Sequence, residues 1–312
     1  MEYAIINFGV DDCRLNDIVK SINVGCEETF WTELLFRQRF EYNPLGKAVL
    51  ACAFDAERVI ACVVVERFPF QSVGRSMVGG ILRVLFVQDG YNNKGLWTGI
   101  LKVVEEECSC QNIDAIYCFN NNEDSMFSLT EDNGWLSYKG EVSYLLNSVT
   151  DQWRNIFKLM DINQPFIADV KENQGEAVDV DEPQEIGETR IADYYKWLFH
   201  TSCKRFVMVD NENVCAVVAI GQRGKRVKEA RICYFEAKKG LEEAQQSLRE
   251  IIHNKVDGID VVSCIDSMNW LSPRNALKIT QKVDWSYKCI RRPMGSEVSE
   301  IDYLMSLLQW LD

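Results

Sequence analysis

Histidine is almost missing from this chain, with two among 312 residues. The Cys-x-x-Cys spacing of zinc and redox motifs is missing too, and the one close pair is Cys108-Ser109-Cys110. No metal site is therefore expected. Basic charge is in short supply: 34 Lys and Arg stand against 47 Asp and Glu, a net charge of -13. A nucleic-acid partner needs a basic face for its phosphates, so that class is excluded. A cationic amine substrate is compatible with the same deficit. No apolar run is as long as a bilayer is thick, so no membrane partner is expected. The opening MEYAIINFGVDDCR has no basic n-region and no long apolar h-region, so no secretory signal is expected.

What remains is a globular composition, 47% hydrophobic and 26% charged, with length for two domains. Most of the twelve cysteines lie in apolar runs such as Ala51-Cys52-Ala53 and Val214-Cys215-Ala216. They read as reduced core thiols in a cytoplasmic protein.

The order of elements follows from periodicity and breakers. Ala4 to Phe8 is a short strand. Asp11-Asp12 caps a helix to about Ile22, and Glu27 to Phe40 forms a second helix with an apolar face at Phe30, Trp31, Leu34, Leu35 and Phe36. Asn43-Pro44-Leu45-Gly46 breaks it. Strands follow over Ala48 to Phe54, Val59 to Phe68 and Met77 to Val87. Gly79-Gly80 in the third suggests a bulge or a close backbone approach. A polar turn with Gly90 then leads through Gly95 into a helix bearing Leu96, Ile100, Leu101, Val103 and Val104. Strand, glycine-bearing turn and helix start together make an anion site, because the first N–H groups of a helix lack intrahelical partners and the macrodipole favours negative charge there. Ile113 to Phe119 is a further strand. Asn120 to Ser125 leads into a helix that ends at Gly134, and Trp135 to Leu146 reads as a strand pair broken near Lys139-Gly140.

The run Val87-Gln88-Asp89-Gly90-Tyr91-Asn92-Asn93-Lys94-Gly95-Leu96 resembles the coenzyme A loop of the GNAT superfamily of N-acetyltransferases. Tyr91, Lys94 and Gly95 match the family form. Asn92 replaces the usual Arg or Gln, and Trp97 the usual Gly or Ala. The segment with Asn122 and Ser125, a helix, then Gly134-Trp135 resembles the end of the same domain. The resemblance implies that acetyl-CoA, as acyl donor, is held by Leu85, Phe86 and Val87 of a splayed strand, by Asn92, Asn93, Lys94, Gly95, Leu96 and Trp97 of the turn, and by Asn122 and Ser125.

Asp151 to Glu188 changes character, with an acidic run at Asp179-Val180-Asp181-Glu182, and reads as a connector with one short helix. Beyond it the first half is echoed. Asp55-Ala56-Glu57-Arg58-Val59 parallels Asp210-Asn211-Glu212-Asn213-Val214, and Gly134-Trp135-Leu136-Ser137-Tyr138-Lys139 parallels Asp284-Trp285-Ser286-Tyr287-Lys288. The copy has strands at Val227 to Glu236, Ile259 to Ile265, Pro273 to Thr280 and Val283 to Arg291, and a helix at Leu241 to His253. It lacks the phosphate turn: Phe-Glu-Ala-Lys-Lys-Gly is too short, and Glu236 would repel an anion.

The expected architecture is α/β (α+β), two tandem GNAT-like domains, each a mixed, mostly antiparallel sheet flanked by helices. Residues 1–147 form the acetyl-CoA-binding domain, 148–188 the linker and 189–312 a degenerate copy. The resemblance implies an acetyl-CoA-dependent N-acetyltransferase acting on a primary amine of a small molecule or amino sugar. The family's usual acid and base are absent from their usual places. Leu129 or Thr130 stands where a tyrosine is common, and no carboxylate lies between Ser76 and Val87. Proximity can supply much of the rate, with Tyr138 or Tyr144 as a replacement acid. The alternative is a non-catalytic GNAT-fold protein that binds acyl-CoA or serves as a scaffold.

Overall fold

The computed structural model describes residues 1–25, 31–72, 75–91, 95–119, 134–148, 166–169, 194, 197–198, 201, 205–265 and 277–290. The expected helix at Asp151 to Met160, the acidic run, and Asn92, Asn93, Lys94, Asn122 and Ser125 lie outside the described residues.

The chain divides into two compact units, and neither is a simple half of it. Unit 1 comprises Met1–Lys139, Ala177–Tyr194 and Asp284–Ile301; unit 2 comprises Gly140–Glu176, Tyr195–Val283 and Asp302–Asp312. The boundary read from sequence, after Asn147, falls inside a strand.

Unit 1 begins with β1 (Glu2–Ile6), α1 (Asp12–Gly25) and α2 (Glu33–Phe40). Thr32 caps α2, its hydroxyl accepting from Leu35 N at 3.2 Å. The chain continues through β2 (Val49–Asp55), β3 (Arg58–Ser72), β4 (Arg75–Val87), α3 (Leu96–Cys110) and β5 (Ala115–Phe119). β1 to β4 are antiparallel neighbours in sequence order, and β4 pairs β5 in parallel across the α3 crossover. Alternation along β2 and β3 explains the layers. Val49, Ala51, Ala53, Ala61, Val63 and Val65 pack with Leu96, Ile100, Leu101 and Val104 of α3. Leu50, Cys52, Phe54, Cys62 and Val64 pack on the other face with α1 and α2. A strand covered on both faces is apolar throughout, as VLACAF is.

Unit 2 repeats the plan with β8 (Phe206–Asp210), β9 (Val214–Arg223), β10 (Val227–Ala237), α4 (Leu241–Lys255) and β11 (Val261–Ile265), plus β7 (Phe166–Ala168) on the edge of β9. β7 falls within the stretch read from sequence as connector. β9 and β10 are antiparallel, β10 and β11 parallel. Ala244, Leu248 and Ile252 of α4 pack on Ala216, Val218, Ile220, Ala230 and Ile232.

The last strands depart from expectation. β6 is one strand, Leu136–Ser148, and β12 is one strand, Leu277–Cys289, where the sequence suggested a broken pair in each case. Each runs out of one unit into the other. The neighbour of β5 is the end of β12, with Trp285 opposite Phe119 and Cys289 opposite Ala115. The neighbour of β11 is the end of β6, with Tyr144 opposite Ile265 and Ser148 opposite Val261. The units have exchanged closing strands. In unit 1, Glu105 of α3 accepts from Trp135 Nε1 at 3.0 Å and from Lys288 Nζ of the arriving strand at 2.6 Å.

Unit 2 contains a fully buried ion cluster. Glu229 accepts from Arg223 Nε at 2.6 Å, from Arg231 Nη2 at 3.1 Å and from the Ser263 hydroxyl. The Arg231 guanidinium lies over the rings of Tyr144 and Phe166, at 4.4 and 4.3 Å from their centroids. Burial by itself would raise the Glu229 carboxyl, but Arg231, Arg223 and the hydrogen bonds from Arg223 and Ser263 outweigh it and hold the pKa below the ordinary 4.5. A carboxyl with a lowered folded pKa binds its proton less tightly folded than unfolded. Its stabilisation is therefore complete above 4.5 and drains as pH falls through the folded value. Glu229→Gln is expected to cost about 3–5 kcal/mol at pH 7, because it strands buried guanidinium charge. Denaturant titrations from pH 7 to pH 3 check this: the variant should lose less of its remaining stability over the acidic interval than the parent does.

Candidate functional site

The site is built where β4 parts from β5. Their parallel register joins Gly79–Ile81 to Ala115–Tyr117 and, among the described residues, goes no further, although β4 runs on to Val87 and β5 to Phe119. The cause is a β-bulge. The register of β3 and β4 shifts between Val64 and Val65, which face Val84 and Leu82, leaving Arg83 as the extra residue. Side-chain directions show the same slip. Leu82 lies in the α3-facing core, whereas Val84 and Phe86, of the same parity, lie in the core facing α1 and α2. Leu85 and Val87 then pack on the α3 side.

Gly79-Gly80 is not the bulge that the sequence suggested. These glycines serve close approach: a methyl group on Gly79 would overlap the Phe68 ring, and one on Gly80 would overlap Val65 Cγ1.

A buried cluster pins the bulge. Glu66 of β3 is 0% exposed, and its Oε2 accepts from Arg39 Nη2 at 3.0 Å and from Arg83 Nε at 2.9 Å. The Tyr194 hydroxyl donates to its Oε1 at 3.3 Å. Arg83 retains 10% exposure. Nothing local to Arg39, Glu66, Arg83 or Tyr194 in the sequence points to the cluster.

Beyond β4 the chain turns. Gln88 N donates to Ile60 O at 2.8 Å, and Tyr91 N donates to Gln88 O at 3.1 Å, with Gly90 at φ 86° between them. Gly95 is the N-cap of α3 in the left-handed region, φ 65° and ψ 16°, and among the described residues no side chain caps the helix. The first turn of α3 carries no acidic residue. Among the described residues, a methyl group at Gly90 or Gly95 would meet nothing within 4 Å. Leu96 is buried in the core, and the Trp97 indole packs against that core rather than across Gly95. The first N–H groups of a helix lack intrahelical partners and lie at the positive end of its dipole, a setting that suits a diphosphate.

Tyr144 lies in unit 2, buried under the Arg231 guanidinium. Tyr138 lies on the backbone of β6, and its side chain is outside the description. His253 is exposed on α4. Among the described residues no group of His, Cys, Asp and Glu is placed to hold a metal, and no helix is long and apolar enough to cross a membrane.

Unit 2 keeps the bulge and loses the anion site. Its register shifts at Cys233, between Ile232 and Tyr234, and the β10–β11 pairing spans Glu229–Arg231. The start of α4 carries Glu242 and Glu243 in its first turn, and a methyl group on its N-cap Gly240 would overlap the Glu243 carboxylate. The helix start has a built-in anion. Glu236, named from sequence as the repelling charge, is exposed and accepts from the Tyr234 hydroxyl at 2.7 Å.

Solved structures share this arrangement over most of the chain. A probable N-acyltransferase from Enterococcus faecalis V583 aligns with a TM-score of 0.55 at 10% identity, covering 93% of this chain and 73% of its own. A GCN5-related N-acetyltransferase from Kribbella flavida gives 0.54 at 12% identity over 94% and 72%. One from Anabaena variabilis ATCC 29413 gives 0.53 at 11% identity over 93% and 73%. The fold is that of the GNAT N-acetyltransferases. No family model and no curated protein sequence matches the chain. The GNAT fold accounts for both units, each a mixed sheet with a bulged strand before its crossover helix.

Glu66→Gln is expected to cost about 3–5 kcal/mol by leaving Arg39 and Arg83 without their shared carboxylate. Amide exchange should then speed up at Arg83 to Val87 more than at Gly79 to Ile81, which the β5 ladder holds. Equal acceleration at both would show that Glu66 stabilises the sheet without setting the bulge.

Proposed function

We propose that the protein is an acetyl-CoA-dependent N-acetyltransferase whose donor site is in unit 1. One observation carries this reading: the strand that the Arg83 bulge parts from β5 is followed in sequence by a helix whose N-cap, Gly95, is in the left-handed region and whose first turn carries no acidic residue. A pantetheine arm needs backbone donors along a cleft, and a diphosphate needs helix N–H groups at its end. β4 and α3 offer both in sequence. Cytoplasmic reduced thiols accord with the buried Cys52, Cys62 and Cys108.

The acceptor we propose is a primary amine of a small molecule or amino sugar. Bound acetyl-CoA supplies the acetyl group; the amine nitrogen bonds to the thioester carbonyl carbon, the carbon–sulfur bond breaks, and a proton passes from nitrogen to sulfur. Backbone N–H groups of β4 beyond Ile81 are released from β5 and are the donors for the carbonyl oxygen as charge develops on it. Leu85 and Val87 give the α3 side of the cleft an apolar wall. Glu66 is committed to Arg39, Arg83 and Tyr194, so proton transfer falls to water and to the pairing of bound reactants.

That commitment favours a second reading, a GNAT-fold protein that binds acyl-CoA without turning it over. A thermal-shift titration followed by a thiol-release assay separates the two. Acetyl-CoA at one hundred times its Kd adds about 2.7 kcal/mol by mass action, a midpoint rise of several degrees. Gly95→Arg is expected to abolish the rise, since a large side chain at the N-cap crowds the first N–H groups of α3. Free thiol produced only when amines are added marks the transferase; a midpoint rise with no thiol from an amine panel marks the binder. No rise with the parent protein would end both readings.

A further inference from the structure

Four elements of unit 1 meet on one carboxylate at the point where β4 leaves β5. Among the described residues, Ile81 is the last that β4 pairs with β5, and Glu66 stands opposite it on β3. Arg39 of α2 and Arg83 of the bulge both donate to Glu66 Oε2, at 3.0 and 2.9 Å. The Tyr194 hydroxyl donates to Oε1 at 3.3 Å. Tyr194 is 0% exposed and comes from Ala177–Tyr194, which belongs to unit 1 although β6 and β7 separate it in sequence from the other strands. Charge-assisted bonds of this kind are short and directional. The carboxylate is 0% exposed, so water does not compete for its oxygens.

The duplicated unit shows that a bulge can form here without such a cluster. In each unit the inserted residue is the second after the parallel ladder: Arg83 after Ile81, Cys233 after Arg231. The Cys233 thiol is pushed up to about 11 by burial, so it is neutral, and it donates to Arg231 O of its own strand at 3.6 Å. The buried carboxylate of unit 2, Glu229, lies within the ladder and pairs with Gly221 and Val261. A neutral side chain tied to its own strand therefore goes with an insertion as well as a guanidinium does. What unit 1 adds is a tie across elements, from the inserted residue to β3 and through it to α2 and Tyr194. Such a tie fixes the course of the chain that follows, Val84 to Val87.

We propose that Glu66, Arg39 and Tyr194 are positioning residues for acetyl transfer: acting through Arg83, they aim the released N–H groups of β4 at the thioester carbonyl. This rests on the reading that unit 1 takes an acyl donor. None of the three is asked to touch the reacting atoms. A hydrogen bond to a carbonyl gains strength as negative charge develops on its oxygen, so the aim of the donors governs rate more than affinity.

The test uses the full chain and acetyl-CoA labelled with carbon-13 at the thioester carbonyl. Donated hydrogen bonds weaken that C=O bond, and infrared difference spectra of bound donor should place its band below that of free acetyl-CoA. Tyr194→Phe leaves both arginines on the carboxylate, and Arg39→Lys keeps the charge but gives up the directed guanidinium. Both are expected to return the band toward the free position, as is Glu66→Gln where it folds. For an amine that the parent acetylates, kcat should fall about tenfold in Tyr194→Phe and about a hundredfold in Glu66→Gln, the scale of a misplacement of about 1 Å. Affinity for acetyl-CoA should stay within about threefold of the parent, since the loss falls on the transition state. Glu229→Gln, which breaks the buried cluster of unit 2, is the control for lost stability and should leave the band in place. An unmoved band in Tyr194→Phe and Arg39→Lys overturns the proposal. So does a band that moves as far in Glu229→Gln, or a loss of affinity as large as the loss of kcat, either of which marks general loosening. Failure of the parent to bind acetyl-CoA removes the donor reading itself, a result distinct from a parent that binds and variants whose carbonyl band matches it.

Discussion

One inserted residue governs the site. Arg83 has no partner position on β3, so β4 changes face at that point and leaves β5. Such an insertion survives only if the surroundings prefer it to a regular ladder. Here the preference is electrostatic: the Arg83 guanidinium is drawn to Glu66, which Arg39 of α2 already fixes. Buried charge of this kind adds little net stability over a hydrophobic replacement, but its geometry is demanding. The parting of β4 from β5 therefore depends on a contact between α2 and β3 as much as on β4 itself.

The two units show which features of the duplicated plan persist without a ligand. Bulge and crossover helix occur in both. The helix start differs. The first turn of α3 carries no acidic residue, while α4 has its own Glu243 carboxylate at its start. A helix N-terminus favours negative charge, and a side chain of the same chain can supply it. In α4 Glu243 does so.

Much of this was legible from residues, because the signals are local. Period-two runs such as VLACAF, the 3.6-period helix after Gly95 and the positive-φ glycines at 90 and 95 each depend on neighbours a few residues away. What escaped is set by distant partners. Gly79-Gly80 left a bulge and a close approach both open; their size answers to Phe68 and Val65, and the bulge answers to Glu66. Lys139-Gly140 looked like a hairpin turn, yet β6 runs straight through it because its far end pairs with β11, more than a hundred residues on. Tyr144 looked like a spare hydroxyl on a closing strand, and the exchange of strands carried it into the other unit.

That exchange bears on the chain's history. After a gene duplicates, a copy that loses its ligand is ordinarily free to erode or be deleted. Here the second half of the chain supplies the strand beside β5, and the first half supplies the strand beside β11. A stop codon or deletion that discarded either copy would expose a raw sheet margin in the survivor. The two halves are thus tied to one another by topology, whichever of them holds a ligand.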